Sequence, residues 1–226
     1  MKNVYFLSDA HLGSRAIAHG RTQERRLVNF LDSIKHNAAA VYLLGDIFDF
    51  WYEFKLVVPK GYTRFLGKIS ELTDLGVEVH FFIGNHDIWC GDYLEKECGV
   101  TIHRQPLTCE IYGKEFFLAH GDGLGDKDAK FKLLRSMFHS TTLRTLFSTI
   151  HPRWSIELGL EWAKHSRLKR EGGKEPEYMG EDKEPLVLFT KNYLKDHPDI
   201  NYFYLWSSPH YARLDAEPYF TYVDSW

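Results

Sequence analysis

The segment Leu43-Leu44-Gly45-Asp46-Ile47-Phe48-Asp49 decides the fold, because it places a polar cluster directly after a short apolar run. Three other segments have the same form: Ser8-Asp9-Ala10-His11, Gly84-Asn85-His86-Asp87 and Ala119-His120-Gly121-Asp122. Each follows β-branched, aromatic or aliphatic residues, which predicts that it lies just past the carboxyl end of a strand. Binding sites in open α/β sheets are built at that edge. The four clusters are therefore predicted to form one site.

The sequence between and after these clusters predicts an α/β fold with a mixed sheet or two packed sheets. Apolar residues recur at helical spacing over residues 27–34 and 65–75, between the predicted strands. The second half is richer in strands, with a hairpin predicted from Thr108 to Ala119, turning at Gly113-Lys114. A helix over 186–194 and strands over 202–206 and 219–223 complete the pattern.

A different pattern occupies residues 126–170, where helical apolar spacing is combined with many lysines and arginines. This predicts a helical cap inserted into one domain that spans residues 1–226. The segment 171–184 is rich in Gly, Glu, Lys and Pro and predicts a linker. The basic face of the cap has two interpretations: a solvated surface, or a surface that meets an anionic substrate or lipid head group.

Composition limits the class of protein. The 226 residues are 44% hydrophobic and 26% charged, with a net charge of -3, which is typical of a soluble globular domain and gives no global positive field for nucleic acid. The three cysteines show no Cys-x-x-Cys spacing, so neither a disulfide framework nor a thiolate zinc site is predicted. No signal peptide or membrane-spanning stretch is recognisable, and we expect a cytoplasmic protein without an obligate protein partner.

The four clusters contain the ligands of a two-metal site. Asp46 is the natural centre, because its two carboxylate oxygens can lie between two cations. Asp9 and His11 would hold one cation, and Asn85 and His120 the other. This mixture of oxygen and imidazole ligands suits two divalent ions, with Mn²⁺ as first choice and Fe or Zn as alternatives. Two such ions fit the hydrolysis of a phosphoester or phosphoanhydride.

Several of these residues also have a structural interpretation. Asp9 alone could cap a helix, an alternative that loses weight because His11, Asp46 and the other clusters follow in order. Asp49 is predicted to support the site rather than ligate a metal. The aromatic segment 50–54 forms a lip beside the site, where loop anchoring and substrate contact remain equally open.

The order Asp-x-His, Gly-Asp-x-x-Asp, Gly-Asn-His-Asp and a single His resembles the calcineurin-like metallophosphoesterase family. The resemblance implies a mixed-sheet sandwich flanked by helices. The position of His86, between Asn85 and Asp87, predicts that it stabilises the developing charge or protonates the leaving oxygen, with Asp87 orienting the imidazole. His210 would complete the set of Asp9, His11 and Asp46. Ser208 stands where the family has a further histidine, which predicts a weaker second metal position.

A finer resemblance is to the bacterial UDP-2,3-diacylglucosamine hydrolases of lipid A synthesis. It rests on Leu118-Ala119-His120-Gly121-Asp122-Gly123-Leu124-Gly125, on the basic helical insert and on His165-Ser166-Arg167. It implies cleavage of the pyrophosphate of an acylated UDP-sugar, giving UMP and the sugar 1-phosphate. In the best-known branch of these enzymes, an arginine stands at the position of His86.

If the cap is functional, its apolar stripe predicts a chamber for acyl chains, and its Lys and Arg residues predict contacts to a diphosphate or to anionic lipid head groups, consistent with reversible residence at a membrane surface. The residues expected to contact substrate are Asp122, Lys130, Arg135 and Arg167. The residues expected to line a chamber for acyl chains are Phe131, Leu134, Phe138, Leu143, Leu146 and Phe147. Two alternatives stay open: a phosphodiesterase or phosphatase for another nucleotide or phosphoester, and a non-catalytic binding scaffold with the same fold.

Overall fold

The computed structural model describes residues 2–16, 20–125, 136–138, 140–171, 182–205 and 220–223. In chain order the elements are β1 (Asn3–Leu7), α1 (Gly20–Ile34), β2 (Ala38–Leu43), α2 (Thr63–Asp74), β3 (Glu78–Phe82), α3 (Tyr93–Cys98), β4 (Thr101–His103), β5 (Leu107–Ile111), β6 (Lys114–Ala119), α4 (Thr141–Thr149), α5 (Pro152–Glu171), α6 (Pro185–Asp196), β7 (Tyr202–Leu205) and β8 (Phe220–Val223).

The strands form two sheets. The first has the order β4-β3-β2-β1-β8, in which β1 to β4 are parallel and β8 is antiparallel to β1. The second has the order β5-β6-β7, with an antiparallel pair followed by a parallel pair. The predicted α/β class with mixed sheets is confirmed. In the first sheet Leu7 pairs with Leu43 and Leu43 with Phe81, so β1, β2 and β3 end at the same level.

A core of aromatic and aliphatic side chains lies between the two sheets. Alternate residues of a strand point to opposite faces, so Val4 and Phe6 share one face of β1. Both belong to the buried cluster that includes Phe116 and Leu118 of the second sheet. The ring of Phe6 also stacks on that of Tyr204 in β7, with centroids 4.5 Å apart. The two sheets therefore form a sandwich.

Helices cover the outer faces of both sheets. The apolar stripes of α1 and α2, which include Leu27, Leu31 and Phe65, pack on the first sheet in a cluster with Leu7. On the second sheet, Phe117 packs against α6. The parallel strands are thus buried on both faces, which explains why they are nearly continuous apolar runs in the sequence.

The predicted elements are confirmed with small shifts at their ends. The helix predicted over 65–75 ends in a left-handed Gly76, with φ +78°, as a C-terminal glycine allows. The hairpin turns at Tyr112-Gly113, one residue before the predicted position. The predicted linker 171–184 lies largely outside the described residues.

Two half-buried histidines join β3 to β4. The Nδ1 of His80 lies 3.0 Å from the Nε2 of His103. This is a hydrogen-bond distance, so one of the two nitrogens carries a proton and donates it to the other. His80 stacks on Tyr42 at 4.4 Å and His103 on Phe82 at 4.6 Å. Burial lowers the pKa of His80 below its usual 6.5, and burial together with His80 lowers the pKa of His103.

This pair predicts a loss of stability in mild acid. A lowered pKa means that the folded chain binds fewer protons than the unfolded chain, so the free energy of unfolding decreases as the pH falls below 6.5. Each pH unit by which a pKa is lowered corresponds to about 1.4 kcal/mol. The free energy of unfolding should be measured with denaturant at about pH 7.5 and about pH 5.5, on either side of the usual histidine pKa. Its decrease between the two pH values should be smaller for His80→Asn/His103→Asn than for the unmutated chain. Exposed His36→Asn is the control, and equal losses in all three proteins would contradict the prediction.

Candidate metal centre

The loops that follow β1, β2 and β3 run side by side beyond the first sheet. The backbone N–H of Asp9 donates to the carbonyl of Gly45 at 3.1 Å, and that of His11 donates to the carbonyl of Asp46 at 2.9 Å. The N–H of Trp51 donates to the carbonyl of His86 at 3.4 Å, which joins the second loop to the third. The predicted clusters therefore meet at one edge of the sheet.

The backbone of these loops is held in the left-handed region. Five described non-glycine residues have positive φ, and three of them are Asp9 (54°), His11 (41°) and Asp46 (52°). Such a conformation costs about 1–2 kcal/mol per residue and persists where the surrounding structure imposes it. Three of the five strained positions are predicted ligands. The strained backbone therefore sets the directions in which these side chains point into the site.

Two glycines allow the loops to approach so closely. A Cβ at Gly84 would lie 2.2 Å from Oδ1 of Asp46, and a Cβ at Gly45 would lie 2.7 Å from the ring of His120. Gly45 also has φ +93°. Gly45 and Gly84 are thus both required for space, and Gly45 is also required for the turn.

Asp46 occupies the centre of the site and is 4% exposed. Its Oδ1 accepts a hydrogen bond from the backbone N–H of His86 at 2.9 Å. Its Oδ2 lies 3.4 Å from Nε2 of His120 and 3.9 Å from Nε2 of His11. The His11 Nε2 is in turn 3.4 Å from Oδ1 of Asp9. The carboxylate thus lies between the two sets of predicted ligands.

Hydrogen bonds to backbone carbonyls set the orientation of two imidazoles. The Nδ1 of His120 lies 2.8 Å from the carbonyl of Leu44, and the Nδ1 of His86 lies 2.8 Å from the carbonyl of Asp49. Nδ1–H is therefore the donor in each ring, which directs Nε2 to the site. The buried Nε2 of His120 makes no hydrogen bond to any of the described residues. A buried nitrogen of this kind, beside a carboxylate, fits a metal ligand.

Asp49 lies behind the imidazoles and is fully buried. Its Oδ1 is 3.5 Å from Nδ1 of His11 and 4.0 Å from Nδ1 of His86, and its backbone carbonyl accepts from His86. A carboxylate and a carbonyl on the far side of ligating rings fix the orientation of those rings. These contacts suit the supporting role that the sequence predicts for Asp49.

Asp87 joins two loops. Its Oδ1 accepts from the N–H of Gly84 at 2.7 Å, and its Oδ2 accepts from the N–H of Ile47 at 3.0 Å. Burial, together with the charge of Asp46, raises the pKa of Asp87 to about 7. The sequence predicts that Asp87 orients the His86 imidazole, but the ring Nδ1–H donates its hydrogen bond to the Asp49 carbonyl. Both oxygens of Asp87 instead accept hydrogen bonds from backbone N–H groups.

Ser8 is a site residue that sequence reasoning missed. Its hydroxyl is buried and lies 2.6 Å from Oδ2 of Asp9, with the carbonyls of Leu44 and Gly45 at 3.2 and 3.3 Å. A serine directly before the aspartate, at the end of a buried strand, is the only signal in the sequence. Ser8 restrains one oxygen of Asp9 and leaves Oδ1 directed to His11.

The charges of the site favour a cation beside Asp46. Burial would raise the pKa of Asp46, but His120 and His86 hold it well below its usual range. Burial would lower the pKa of His120, but the charge of Asp46, with smaller contributions from Asp9 and Asp122, raises it well above 6.5. Burial lowers the pKa of His86. A proton or a metal ion can supply the positive charge that this position favours.

One trio of side chains could hold a metal ion as placed. His11, Asp46 and His86 offer ligand atoms that all lie within 4.8 Å of one another. This trio includes His86, which the sequence assigns to catalysis. Asn85 is half-buried in the same loop, and Asp122 is half-buried in the turn after His120. The remaining predicted site residues His210, Lys130 and Arg135, and the side chain of Arg167, lie outside the described residues.

The aromatic lip anchors the cap helices. Phe50, Tyr52 and Trp89 form a buried cluster with Phe138 and Phe147. The Tyr52 hydroxyl donates to the carbonyl of residue 144 at 2.8 Å, and the Trp89 indole N–H donates to the carbonyl of Phe138 at 2.8 Å. The lip thus acts as a loop anchor. Phe138 and Phe147, predicted to line an acyl chamber, pack against the lip instead.

The cap helices also carry exposed apolar side chains. We call this set the outer apolar face; it comprises Leu146, Ile150, Trp154 and Leu158, which are 58%, 38%, 68% and 60% exposed. Leu143, another predicted chamber residue, is 39% exposed. Among the described residues, no helix is both long and apolar enough to cross a membrane.

Comparison with known proteins gives a consistent result. The chain matches the profile of the calcineurin-like phosphoesterases over residues 2–214. The UDP-2,3-diacylglucosamine hydrolase of Porphyromonas gingivalis is 42% identical over 219 residues, which cover 92% of this chain and 82% of that protein. The UDP-2,3-diacylglucosamine hydrolase of Neisseria meningitidis is 30% identical over 171 residues, covering 76% of this chain and 70% of that protein.

Similarity to solved structures is weaker. The phosphoesterase Yfce from E. coli is 19% identical, with a TM-score of 0.31, and the match covers 53% of this chain and 57% of that chain. A score of this size supports no argument about the site.

Proposed function

Because the chain belongs to the calcineurin-like phosphoesterase family, we propose that it hydrolyses the pyrophosphate of UDP-2,3-diacylglucosamine, giving 2,3-diacylglucosamine 1-phosphate and UMP. The similarity to UDP-2,3-diacylglucosamine hydrolases over most of the chain supports this substrate. The observation that carries the chemistry is the buried Asp46 carboxylate, which lies between His11 and His120. The reaction places the chain in lipid A synthesis.

The residues of the site fit divalent metal ions, which this family uses. Asp9, His11, Asp46 and His210 would hold one ion, and Asp46, Asn85 and His120 the other, with Mn²⁺ as the proposed metal. When bound, such ions supply Lewis-acid stabilisation of the negative charge on the phosphate oxygens. The Nε2 of His120, which makes no hydrogen bond within the described part of the chain, and the lowered pKa of Asp46 support this assignment.

His86 is the proposed proton donor to the leaving oxygen. Its Nδ1 is committed to the Asp49 carbonyl, so Nε2 is the atom that would contact substrate. Asp49 keeps the ring in this orientation, and Asp87 keeps the His86 loop joined to the Asp46 loop. Each of these residues acts by holding the imidazole in place before substrate arrives.

Four further residues are proposed to contact the substrate. Asp122 sits in the turn after His120, and we assign Lys130, Arg135 and Arg167 to the diphosphate as charge-assisted donors. Acyl chains would bind to apolar side chains of the cap outside the outer apolar face, for which Leu143 is a described candidate. Phe131 and Leu134 remain proposed members of the same chamber.

The outer apolar face supports the proposal of reversible association with the inner surface of the cytoplasmic membrane. Exposed Trp154 and Leu158 are suited to the boundary between lipid head groups and acyl chains. Arg153, in the first turn of the same helix, carries a positive charge that would attract anionic lipids. Co-sedimentation with vesicles of anionic phospholipid measures this association, and it should be weakened in Trp154→Glu/Leu158→Glu.

The proposed substrate predicts strong discrimination between acylated and unacylated UDP-sugars. Burial of four methylene groups, at about 0.8 kcal/mol each, gives a preference of roughly a hundredfold in kcat/KM. UMP release should be measured with UDP-2,3-diacylglucosamine and with UDP-glucosamine in the presence of Mn²⁺. A small chromogenic phosphodiester reports the intrinsic activity of the site.

Other outcomes identify the alternatives. Equal rates on the acylated and unacylated sugars would show that the acyl chains are not recognised and would refute the proposed substrate. Turnover of the small phosphodiester alone would favour a phosphodiesterase for another nucleotide. Metal binding without turnover of any of the three would favour a binding scaffold.

A further inference from the structure

The three loops of the first sheet that carry predicted metal ligands each hold the cap. The β2 loop does so through Phe50 and Tyr52, and the β3 loop does so through Trp89. A Cβ at Gly159 of α5 would lie 2.3 Å from the Phe50 ring, so this helix rests directly on the lip. The third attachment comes from the β1 loop, through Arg15.

Arg15 binds two carboxylates of α5. Its Nη1 donates to Oε1 of Glu157 at 2.6 Å and to Oε1 of Glu161 at 2.7 Å, and its Nη2 donates to Oε2 of Glu157 at 2.8 Å. The two glutamates are four residues apart and therefore lie on the same side of the helix. Arg15 follows the predicted ligand His11 by four residues. A planar guanidinium that grips two carboxylates fixes direction as well as distance.

The three attachments differ in strength. Phe50 and Trp89 are 6% and 9% exposed, so separating them from the cap would expose apolar surface to water. The side chains of Arg15, Glu157 and Glu161 are 33%, 60% and 51% exposed. Ion pairs of this exposure are weak and are screened by salt. The contact at Arg15 is therefore the one that can open while the aromatic contacts persist.

We propose that Arg15 is a positioning residue that clasps α5 of the cap to the loop of Asp9 and His11, with the aromatic lip as the hinge. Closure brings the cap over the metal centre. An acylated substrate, which needs both the cap and the metal centre, depends on this closure. A small phosphodiester depends only on the metal centre. The kinetic consequence rests on the proposed function, whereas the clasp itself does not.

Hydrogen–deuterium exchange of residues 141–166 tests the clasp without substrate. Arg15→Ala should increase exchange in α4 and α5 several-fold, and Glu157→Gln/Glu161→Gln should do the same. The combined variant should show no further increase, because all three substitutions remove one interaction. The unmutated chain in about 0.5 M salt should approach the variants, since the Debye length there is only a few ångströms. Lys96→Ala, which breaks an exposed 2.7 Å ion pair with Asp92 on α3, is the matched control.

Kinetics then test the consequence. Arg15→Ala should raise KM for the diacylated UDP-sugar about tenfold, equivalent to 1.4 kcal/mol, with unchanged bound metal and unchanged hydrolysis of a small phosphodiester. Arg15→Lys keeps the positive charge but loses the planar guanidinium that donates to both glutamates. Its KM should lie between those of the unmutated chain and Arg15→Ala.

Three results would overturn the proposal: unchanged exchange in Arg15→Ala, additive effects in the combined variant, or loss of metal together with equal loss on both substrates. The last would mean that Arg15 supports the β1 loop alone. If the unmutated chain does not cleave the acylated sugar, the proposed function fails. The exchange measurements would still show whether Arg15 holds α5 to the β1 loop.

Discussion

Asp46→Asn is expected to lower kcat/KM for phosphoanhydride hydrolysis by roughly a thousandfold or more and to reduce bound divalent metal sharply. The amide keeps the shape of the side chain and can still accept the N–H of His86, so the loops should retain their course. The negative charge between His11 and His120 is lost, and that charge is what favours a cation there. Elemental analysis of the purified variant and initial rates with added Mn²⁺ measure the two effects.

Asp49→Asn is the matched control for this substitution. Asp49 is equally buried but contacts the far side of the imidazoles, so the change should cost about tenfold to a hundredfold, as for other residues behind metal ligands. Unchanged thermal unfolding would show that both variants fold. Full activity of Asp46→Asn with two metal ions bound would refute the bridging position of this carboxylate.

His86→Asn is expected to lower kcat by about a hundredfold to a thousandfold while leaving metal content unchanged. The reason is that His86 is proposed to supply a proton to the leaving oxygen. The kcat of the unmutated enzyme should depend on the pH at which this imidazole titrates, and the variant should lose that dependence. A substrate with a better leaving group should lose less activity in the variant.

Metal content decides between the two roles of His86. Its ligand atom lies within 4.8 Å of those of His11 and Asp46, so ligation is a concrete alternative. Loss of metal in step with loss of activity would establish ligation and reject the proton-donor role. His36→Asn, an exposed histidine on the short turn after α1, should change neither quantity.

The sequence predicted the strands and the convergence of the clusters because both depend on local pattern. Buried parallel strands give apolar runs, and Gly45 and Gly84 mark the points where the chain turns into the site. The central position of Asp46 followed from its two carboxylate oxygens, which can lie between the cations held by the other clusters. These features need no knowledge of contacts between distant parts of the chain.

The parts that sequence could not predict depend on distant contacts. Asp87 adjoins His86 in the chain, which suggested a contact between their side chains, yet its hydrogen bonds run to Gly84 and to Ile47 of another loop. An apolar stripe on a helix does not reveal its partner, so Phe138 and Phe147 were assigned to a chamber rather than to the lip.

The contacts of Arg15 show the same limit more strongly. It meets Glu157 across 142 residues of sequence. No local pattern encodes a pair so far apart.

The left-handed backbone at Asp9, His11 and Asp46 limits the design of an inactive protein for trapping the substrate complex. Asn, Asp and His are the non-glycine residues that adopt this conformation most readily, whereas β-branched residues adopt it rarely. Asn is therefore the replacement of choice at all three positions. Val or Thr would remove the ligand and also force the loop to another course, so a crystal of such a variant would show a site distorted by its own backbone. Trapping experiments should begin from Asp9→Asn or Asp46→Asn.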